Sequence, residues 1–344
     1  QLQFTFPIAL PPGIKSVAPQ VNLMYTSGSG NGIAGYGWNM SGITTISRIG
    51  KNIEKDGEIK GVQLDYSDFY SFNGQRLILK SGEYGKNGAE YVTEKFSNIK
   101  IKSFGANQFL QGPEYWEITF EDGSQAWYGA TASGNSNART PVEYNIVKWK
   151  DTKGNYITYN YLLANNVAAI SSVQWGGNED LGKSHFNEIV YNYSSRKFKE
   201  ISYLQGLKFV QSLILNKITV KSNHKIFKEY LIDYTVVDNA ATYEAPLSIT
   251  EKNAIGEEAN PVSFTNTAAH YNIVEQSINN INTPNPLFGD FNGDGHLDNL
   301  SYSPGYAESE VCIREDINGY CEEYQTFPGM VGGSYITFNK LDNT

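Results

Sequence analysis

Tyr115-Trp-Glu-Ile-Thr-Phe120, then Glu121-Asp-Gly123, then Ser124-Gln-Ala-Trp-Tyr128 is the stretch that decides the fold. Each arm alternates apolar with polar residues, the period of a strand with one face buried. Between the arms lies turn chemistry, with a glycine where the backbone needs a positive φ. The same pattern recurs outward in both directions. Residues 143–149, a loop at 151–155 and residues 156–161 read as a second hairpin, and 20–25, 187–193, 212–220 and 226–234 alternate in the same way. Strands are expected every ten to fifteen residues or so, with Gly, Asn and Asp between them. Only residues 196–212 could pass for a helix, and Gly206 interrupts them. The chain reads as all-β, with helix confined to isolated turns.

Composition narrows the function. The 344 residues carry 27 Lys+Arg against 36 Asp+Glu, a net charge of −9 that repels phosphates and anionic headgroups, so neither nucleic acid nor membrane insertion is expected. Aromatics at 13 %, with 24 tyrosines, supply far more burial than a disordered tract contains. No apolar run reaches the roughly 18 residues of a membrane helix. At roughly 150 residues per domain the length suggests about two domains. The composition shifts near 273–287, where Asn, Ser and two prolines replace the tyrosine-rich alternation. The expected division is a β domain over 1–275, a linker over 276–287 and a shorter β segment over 288–344. Gln1 follows no visible leader, so the chain reads as processed or trimmed.

Three motifs tempt and are set aside. Gly30-Asn-Gly32-Ile-Ala-Gly35 matches a dinucleotide fingerprint, but Tyr36-Gly-Trp-Asn-Met-Ser-Gly42 cannot open the helix that would meet a pyrophosphate. Gly177-Asn-Glu-Asp-Leu-Gly182-Lys183-Ser184 matches a P-loop, yet Glu179 and Asp180 would add negative charge to a phosphate cradle, and strand alternation resumes at Glu188. Glu308-Ser-Glu310 has the spacing of an ADP-ribosyltransferase glutamate pair without the accompanying elements. No catalytic residue is assigned, and an enzyme is not expected.

Asp290-Phe-Asn292-Gly-Asp294-Gly295-His296-Leu-Asp298 is different. Oxygen ligands at positions 1, 3, 5 and 9, with glycine at 6, are what a hard cation needs, and the seventh ligand is a backbone carbonyl, here that of His296. Position 12 is Ser301 rather than glutamate, and the flanks are strand-like, so a structural Ca²⁺ loop on a β-hairpin is expected. Cys312 and Cys321 enclose a turn-rich segment that would let them pair as a disulfide, with two unpaired thiols as the alternative. An extracytoplasmic, secreted or cell-surface location is preferred.

Several stretches resemble a known family. Phe6-Pro-Ile-Ala-Leu-Pro-Pro-Gly13, Ala18-Pro-Gln-Val-Asn-Leu-Met-Tyr25, Ser29-Gly-Asn-Gly32, Gly35-Tyr-Gly-Trp38 and Ile46-Ser-Arg48 follow the order and spacing of the SpvB/TcaC N-terminal domain. That domain heads toxin-complex B components and many Rhs (YD-repeat) proteins. Asp68-Phe-Tyr-Ser-Phe-Asn-Gly74 with Arg76-Leu77, the 120–129 hairpin and residues 151–161 extend the resemblance over most of 1–275. Phe288-Gly-Asp-Phe-Asn-Gly-Asp-Gly295 is similar to an FG-GAP/VCBS repeat. The resemblance implies a curled antiparallel sheet followed by the beginning of a β-propeller, serving as a virulence-associated structural shell. Its implied partners are the remainder of a larger polypeptide, namely a YD-repeat shell with an enclosed C-terminal cargo, and a secretion or carrier component. The competing expectation is a calcium-dependent adhesion or ligand-binding module.

Overall fold

The structure, a computed structural model, describes residues 2–106, 111–132, 134, 136–237 and 243–265, together with the backbone of four strands between 287 and 328. The chain divides into two units, Gln1–His270 and Tyr271–Thr344. Among the described residues helix is limited to α1 (Ile53–Asp56) and a 3₁₀ turn at Ile14–Ser16. The all-β reading therefore holds.

Unit one opens with β1 (Gln3–Pro7), β2 (Asn22–Thr26), a two-residue-arm hairpin of β3 (Asn31–Gly32) and β4 (Gly35–Tyr36), and β5 (Trp38–Ser41). Strands β1, β2 and β5 form a small antiparallel sheet. Eight further strands close into a barrel: β6 (Thr45–Ile49), β7 (Phe69–Phe72), β8 (Gln75–Ser81), β9 (Glu90–Thr93), β10 (Lys100–Phe104), β11 (Tyr115–Thr119), β12 (Gln125–Tyr128) and β13 (Glu143–Lys150). Neighbours in sequence pair antiparallel, and β13 closes the ring by pairing with β12 on one edge and β6 on the other. Closure removes the exposed edges that an open sheet of this kind would carry. Eight strands leave an interior just wide enough for side chains to fill. Here the filling is aromatic: Trp116 is fully buried and lies 4.8 Å from the Tyr70 ring, 5.2 Å from Tyr91 and 6.0 Å from Tyr144. The quoted hairpin forms as read, with Thr119 opposite Gln125 and the Gly123 backbone at φ +81°.

The sheet then branches. The edge of β13 that pairs with β6 at residues 143–145 pairs at residues 148–150 with β14 (Asn155–Ala164). From there an antiparallel meander runs through β15 (Val167–Asn178), β16 (Asn187–Leu204), β17 (Leu207–Ser222), β18 (Lys225–Val237), β19 (Tyr243–Lys252) and β20 (Val262–Ser263). Three of its turns are two residues long with positive φ at both: Asn165-Asn166, Gln205-Gly206 and Asn223-His224. That geometry matches the right-handed strand twist and favours Asn and Gly. Strands of 18 and 16 residues, β16 and β17, are longer than the expected spacing allows. Residues 196–212 are the tip of this hairpin, not a helix. Gly206 does interrupt them, as the turn itself.

Unit two contains a four-stranded antiparallel sheet of β21 (Leu287–Gly289), β22 (Asp298–Ser301), β23 (Glu308–Ile313) and β24 (Glu323–Pro328), paired in chain order. Gly289 pairs with Asp298, so the loop read as a cation site connects two paired strands.

Candidate functional site

The meander presents two chemically opposite faces. Val173 and Trp175, Ile189 and Tyr191, Ile218 and Val220, Tyr230 and Ile232, and Ile249 share one face by register and are all buried. The N-terminal segment straps across it. Trp175 Nε1 donates to the Pro11 carbonyl at 3.0 Å, Asn187 Nδ2 donates to the Pro12 carbonyl at 3.1 Å, and the Ala9 amide donates to Tyr230 Oη at 2.9 Å. Phe6 meets the Tyr230 ring edge-on at 5.8 Å. The prolines suit this role, because a strap without amide donors at those positions exposes only carbonyls that the sheet can satisfy.

The opposite face is a ladder of paired charges. Gln174 Nε2 donates to Glu188 at 3.0 Å, Lys221 lies 3.6 Å from Glu188, Glu229 accepts from Lys217 at 2.5 Å and from Thr219 at 3.2 Å, and Lys252 pairs with Glu258 at 2.8 Å. Hydrogen bonding to Lys217 holds the Glu229 carboxyl below its usual range. Three lysines meet three glutamates here, and Asp233 on the same face accepts from Ser248 Oγ at 3.2 Å, so the charges of this face already have partners.

Tyrosines tie neighbouring strands of the sheet together. Tyr161 Oη donates to the Ile146 carbonyl at 2.8 Å, Tyr193 to Ile170 at 2.5 Å and Tyr234 to Leu215 at 2.5 Å. Burial pushes all three hydroxyls well up, so they stay protonated and remain donors. Each ring is apolar payload and each hydroxyl fixes one backbone carbonyl.

The set-aside motifs take structural places. Gly30–Gly35 contributes the β3–β4 hairpin, in which Gly32 pairs with Gly35 and a Cβ on Gly32 would lie 2.0 Å from the Trp38 carbonyl. Gly177–Ser184 is the turn between β15 and β16, where Asn178 bridges Lys183 and strand rather than helix follows. Lys183 is exposed, while Glu179 binds Lys148 at 2.5 Å and Lys150 at 3.2 Å. Beside this turn the His185 ring packs tilted against Tyr156, 4.0 Å between ring centres, and its Nε2 lies 3.0 Å from Thr158 Oγ1. Burial, with Lys148 nearby, lowers its pKa to about 4.

Of the residues read as a cation site, Asp290, Asn292, Asp294 and His296 lie outside the described residues, and Asp298 is placed by backbone alone at the start of β22. Cys312 lies on β23 opposite Tyr324, and Cys321 lies outside the described residues. Sequence reading missed one buried ion pair. Arg48 follows Ile46 at interior parity on β6 and meets Asp68 at 2.9 Å, with both side chains sealed from solvent. The signal was available: a charge at a core position of an alternating strand calls for a buried partner.

A closed eight-stranded barrel whose last strand also starts a long strapped meander defines an all-β protein. The family model for the Salmonella virulence plasmid 65kDa B protein, SpvB, matches residues 1–247, and the chain belongs to that family. No curated protein sequence matches it. The fold is similar to the N-terminal domain of effector protein SpvB from Salmonella typhimurium strain LT2, with TM-score 0.55 and 16 % identity over 73 % of this chain and 98 % of that one. It is also similar to the TcdB2-TccC3-Cdc42 crystal structure, with TM-score 0.64 and 13 % identity over 95 % of this chain and 19 % of that one. The Photorhabdus luminescens Tc holotoxin pore gives TM-score 0.59 and 13 % identity over 96 % and 19 %. The chain thus spans about a fifth of the length of the toxin-complex chains it matches. Among the described residues no helix is long and apolar enough to cross a membrane.

Proposed function

We propose that this chain is a non-enzymatic structural segment of a secreted toxin-complex-type protein, forming part of a hollow β wall around a polypeptide cargo. The observation that carries the reading is the two-faced meander. A wall needs one face sealed by its own chain and another that touches cargo without gripping it. Strapping by residues 6–12 supplies the first. The second is the ladder, whose lysines and glutamates already satisfy one another and so offer a passing chain little net attraction. Membership of the SpvB family and the fold likeness to toxin-complex chains support the same assignment. Unit two, a four-stranded antiparallel meander, suits the first blade of a propeller. The donor set Asp290, Asn292, Asp294, the His296 carbonyl and Asp298 suits a structural Ca²⁺ there, with oxygens at alternate positions and one glycine at the bend.

Protease protection tests the wall. The complete polypeptide containing this chain, treated with a broad-specificity protease under native conditions, should keep its C-terminal segment intact until the fold is opened by denaturant. Cleavage of that segment at the rate of an unenclosed chain would refute enclosure.

A further inference from the structure

The turn between β15 and β16 is held to the sheet by two rings laid over two glycines. A Cβ on Gly177 would lie 2.9 Å from His185 Nδ1 and 2.7 Å from the Tyr156 ring, and a Cβ on Gly176 would lie 2.6 Å from the Phe186 ring. Across the bare backbone of β15, His185 reaches β14, where it packs against Tyr156 and meets Thr158. The turn itself closes on a reciprocal pair: the Asn178 amide donates to the Lys183 carbonyl at 2.9 Å and the Lys183 amide to the Asn178 carbonyl at 2.8 Å.

This seat suits a neutral imidazole and not a charged one. Nε2 lies 3.0 Å from Thr158 Oγ1, while Nδ1 is shut off from solvent with no hydrogen-bond partner. A neutral ring has one N–H, which Nε2 can direct at Thr158; the charged ring has two, and the second would sit on Nδ1 with nothing to accept it. Three elements pack against the ring. β13 brings Lys148, β14 brings Tyr156 and Thr158, and the turn brings Gly177 and, near it, the Lys183 carbonyl. Among the described residues Lys148 is the charge that acts on the imidazole, and no carboxylate offsets it. Glu179, the nearby acid of the turn, is held by Lys148 and Lys150, and hydrogen bonding to Lys148 keeps its carboxyl below the usual range, so it stays charged in mild acid.

We infer that His185 is a proton-operated latch: mild acid charges the ring, drives it off β14 and releases the β15–β16 turn while the barrel stays closed. The released ring stands in water, where an imidazole titrates at about 6.5. Docked, burial with Lys148 nearby holds it down at about 4. The docked form is therefore favoured above about pH 6.5 and loses ground as pH falls toward 4. The ratio of proton binding in the two forms sets the magnitude: between pH 7 and pH 5 the released population should rise about twentyfold. Release parts Asn178 from Lys183 and frees Glu179 to leave Lys148 and Lys150, next to the residues at which β13 hands the sheet over to β14. The inference stands apart from the wall reading, which needs no titration.

Hydrogen exchange of the full chain at pH 7, 6 and 5, with each rate divided by its intrinsic value at that pH, tests the latch. The amides of Asn178 and Lys183 report the turn, and those of Phe120 and Gly123, which close the β11–β12 turn, serve as the reference. Protection at 178 and 183 should fall about twentyfold from pH 7 to pH 5, with the reference unchanged. His185→Phe keeps a ring over Gly177 and cannot take up a proton. Its protection at 178 and 183 should be independent of pH over this range, whatever its absolute level, so a variant with a looser turn still answers the question. Wild-type protection at 178 and 183 that stays constant from pH 7 to pH 5 overturns the inference. So does an equal fall in His185→Phe, which would assign the acid response to another group, and so does an equal fall at the reference turn, which would make the opening global.

Discussion

Asp68→Asn removes half of the ion pair that closes one end of the barrel. Asp68 Oδ2 meets Arg48 Nη1 at 2.9 Å, and the two side chains are 1 % and 0 % exposed. The same carboxylate accepts from three backbone amides, Gln63 at 2.7 Å, Leu64 at 2.7 Å and Asp65 at 3.3 Å. Arg48 in turn donates to the Asp65 carbonyl at 3.0 Å and to the Gln111 carbonyl at 3.5 Å, with its guanidinium 5.3 Å from the Tyr70 ring centre. An asparagine keeps the shape, yet one of its two polar atoms becomes a donor facing donors. Arg48 then sits buried without its counter-charge. Breaking a buried pair from one side costs about 3–5 kcal/mol. The loss of an amide acceptor falls within that figure, because the asparagine oxygen still serves some of the three. An exposed pair is the internal standard: Lys55 and Glu94 are 39 % and 40 % exposed, so Glu94→Gln should cost no more than about 1 kcal/mol. Urea unfolding followed by tryptophan fluorescence reads the barrel through the fully buried Trp116. At a slope of about 2 kcal/mol per molar, the Asp68→Asn midpoint should fall by roughly 1.5–2.5 M. Adding Arg48→Met should recover part of the loss and leave the amides short of their acceptor. A midpoint shift for Asp68→Asn no larger than that of Glu94→Gln would refute the assignment of Arg48–Asp68 as the barrel's end clamp.

Trp175→Phe removes the donor to Pro11 and leaves that carbonyl unsatisfied, at a cost of about 1–3 kcal/mol. Hydrogen exchange should then accelerate at the Ala9 amide and leave the barrel amides unchanged; equal acceleration in both would show that the strap is not a separate layer. His185 should titrate near 4 by NMR, and a midpoint near 6.5 would contradict its burial. Its folded pKa is depressed, so the unfolded chain takes up the proton first, and the associated stability is present above about pH 6.5 and lost as pH falls toward 4. Calcium should bind the loop with a dissociation constant on the order of 10⁻⁴ M, because position 12 lacks its acid. Asp294→Ala should abolish that binding and His296→Ala should spare it; loss of binding in His296→Ala would rule out a backbone seventh ligand.

The local grammar of the fold was legible where one face of a strand is buried and the other wet. The 115–128 hairpin and strand β14 alternate cleanly because their inner residues, Trp116, Ile118, Ala126 and Tyr128 among them, fill a core, whereas β13 buries Tyr144 through Val147 in succession. The β16–β17 arm was not legible, since Phe198, Ile201 and Tyr203 are exposed and a bulge between Ser195 and Glu200 breaks the period. Without a buried face there is no alternation to read. Barrel closure was also hidden. It depends on β13 meeting β6 some hundred residues back, a pairing that no local pattern encodes. The set-aside P-loop illustrates the reverse case. Its acidic residues were read as hostile to phosphate, and Glu179 proves to be the partner of two lysines.

The most direct test of the wall is a cryo-EM map of the complete polypeptide that contains this chain. The account predicts that the face bearing Glu188, Lys217, Lys221 and Glu229 borders an enclosed volume holding cargo density, with the strap of residues 6–12 on the outside. A map in which that face is open to bulk solvent, with no enclosed volume beside it, would contradict the account.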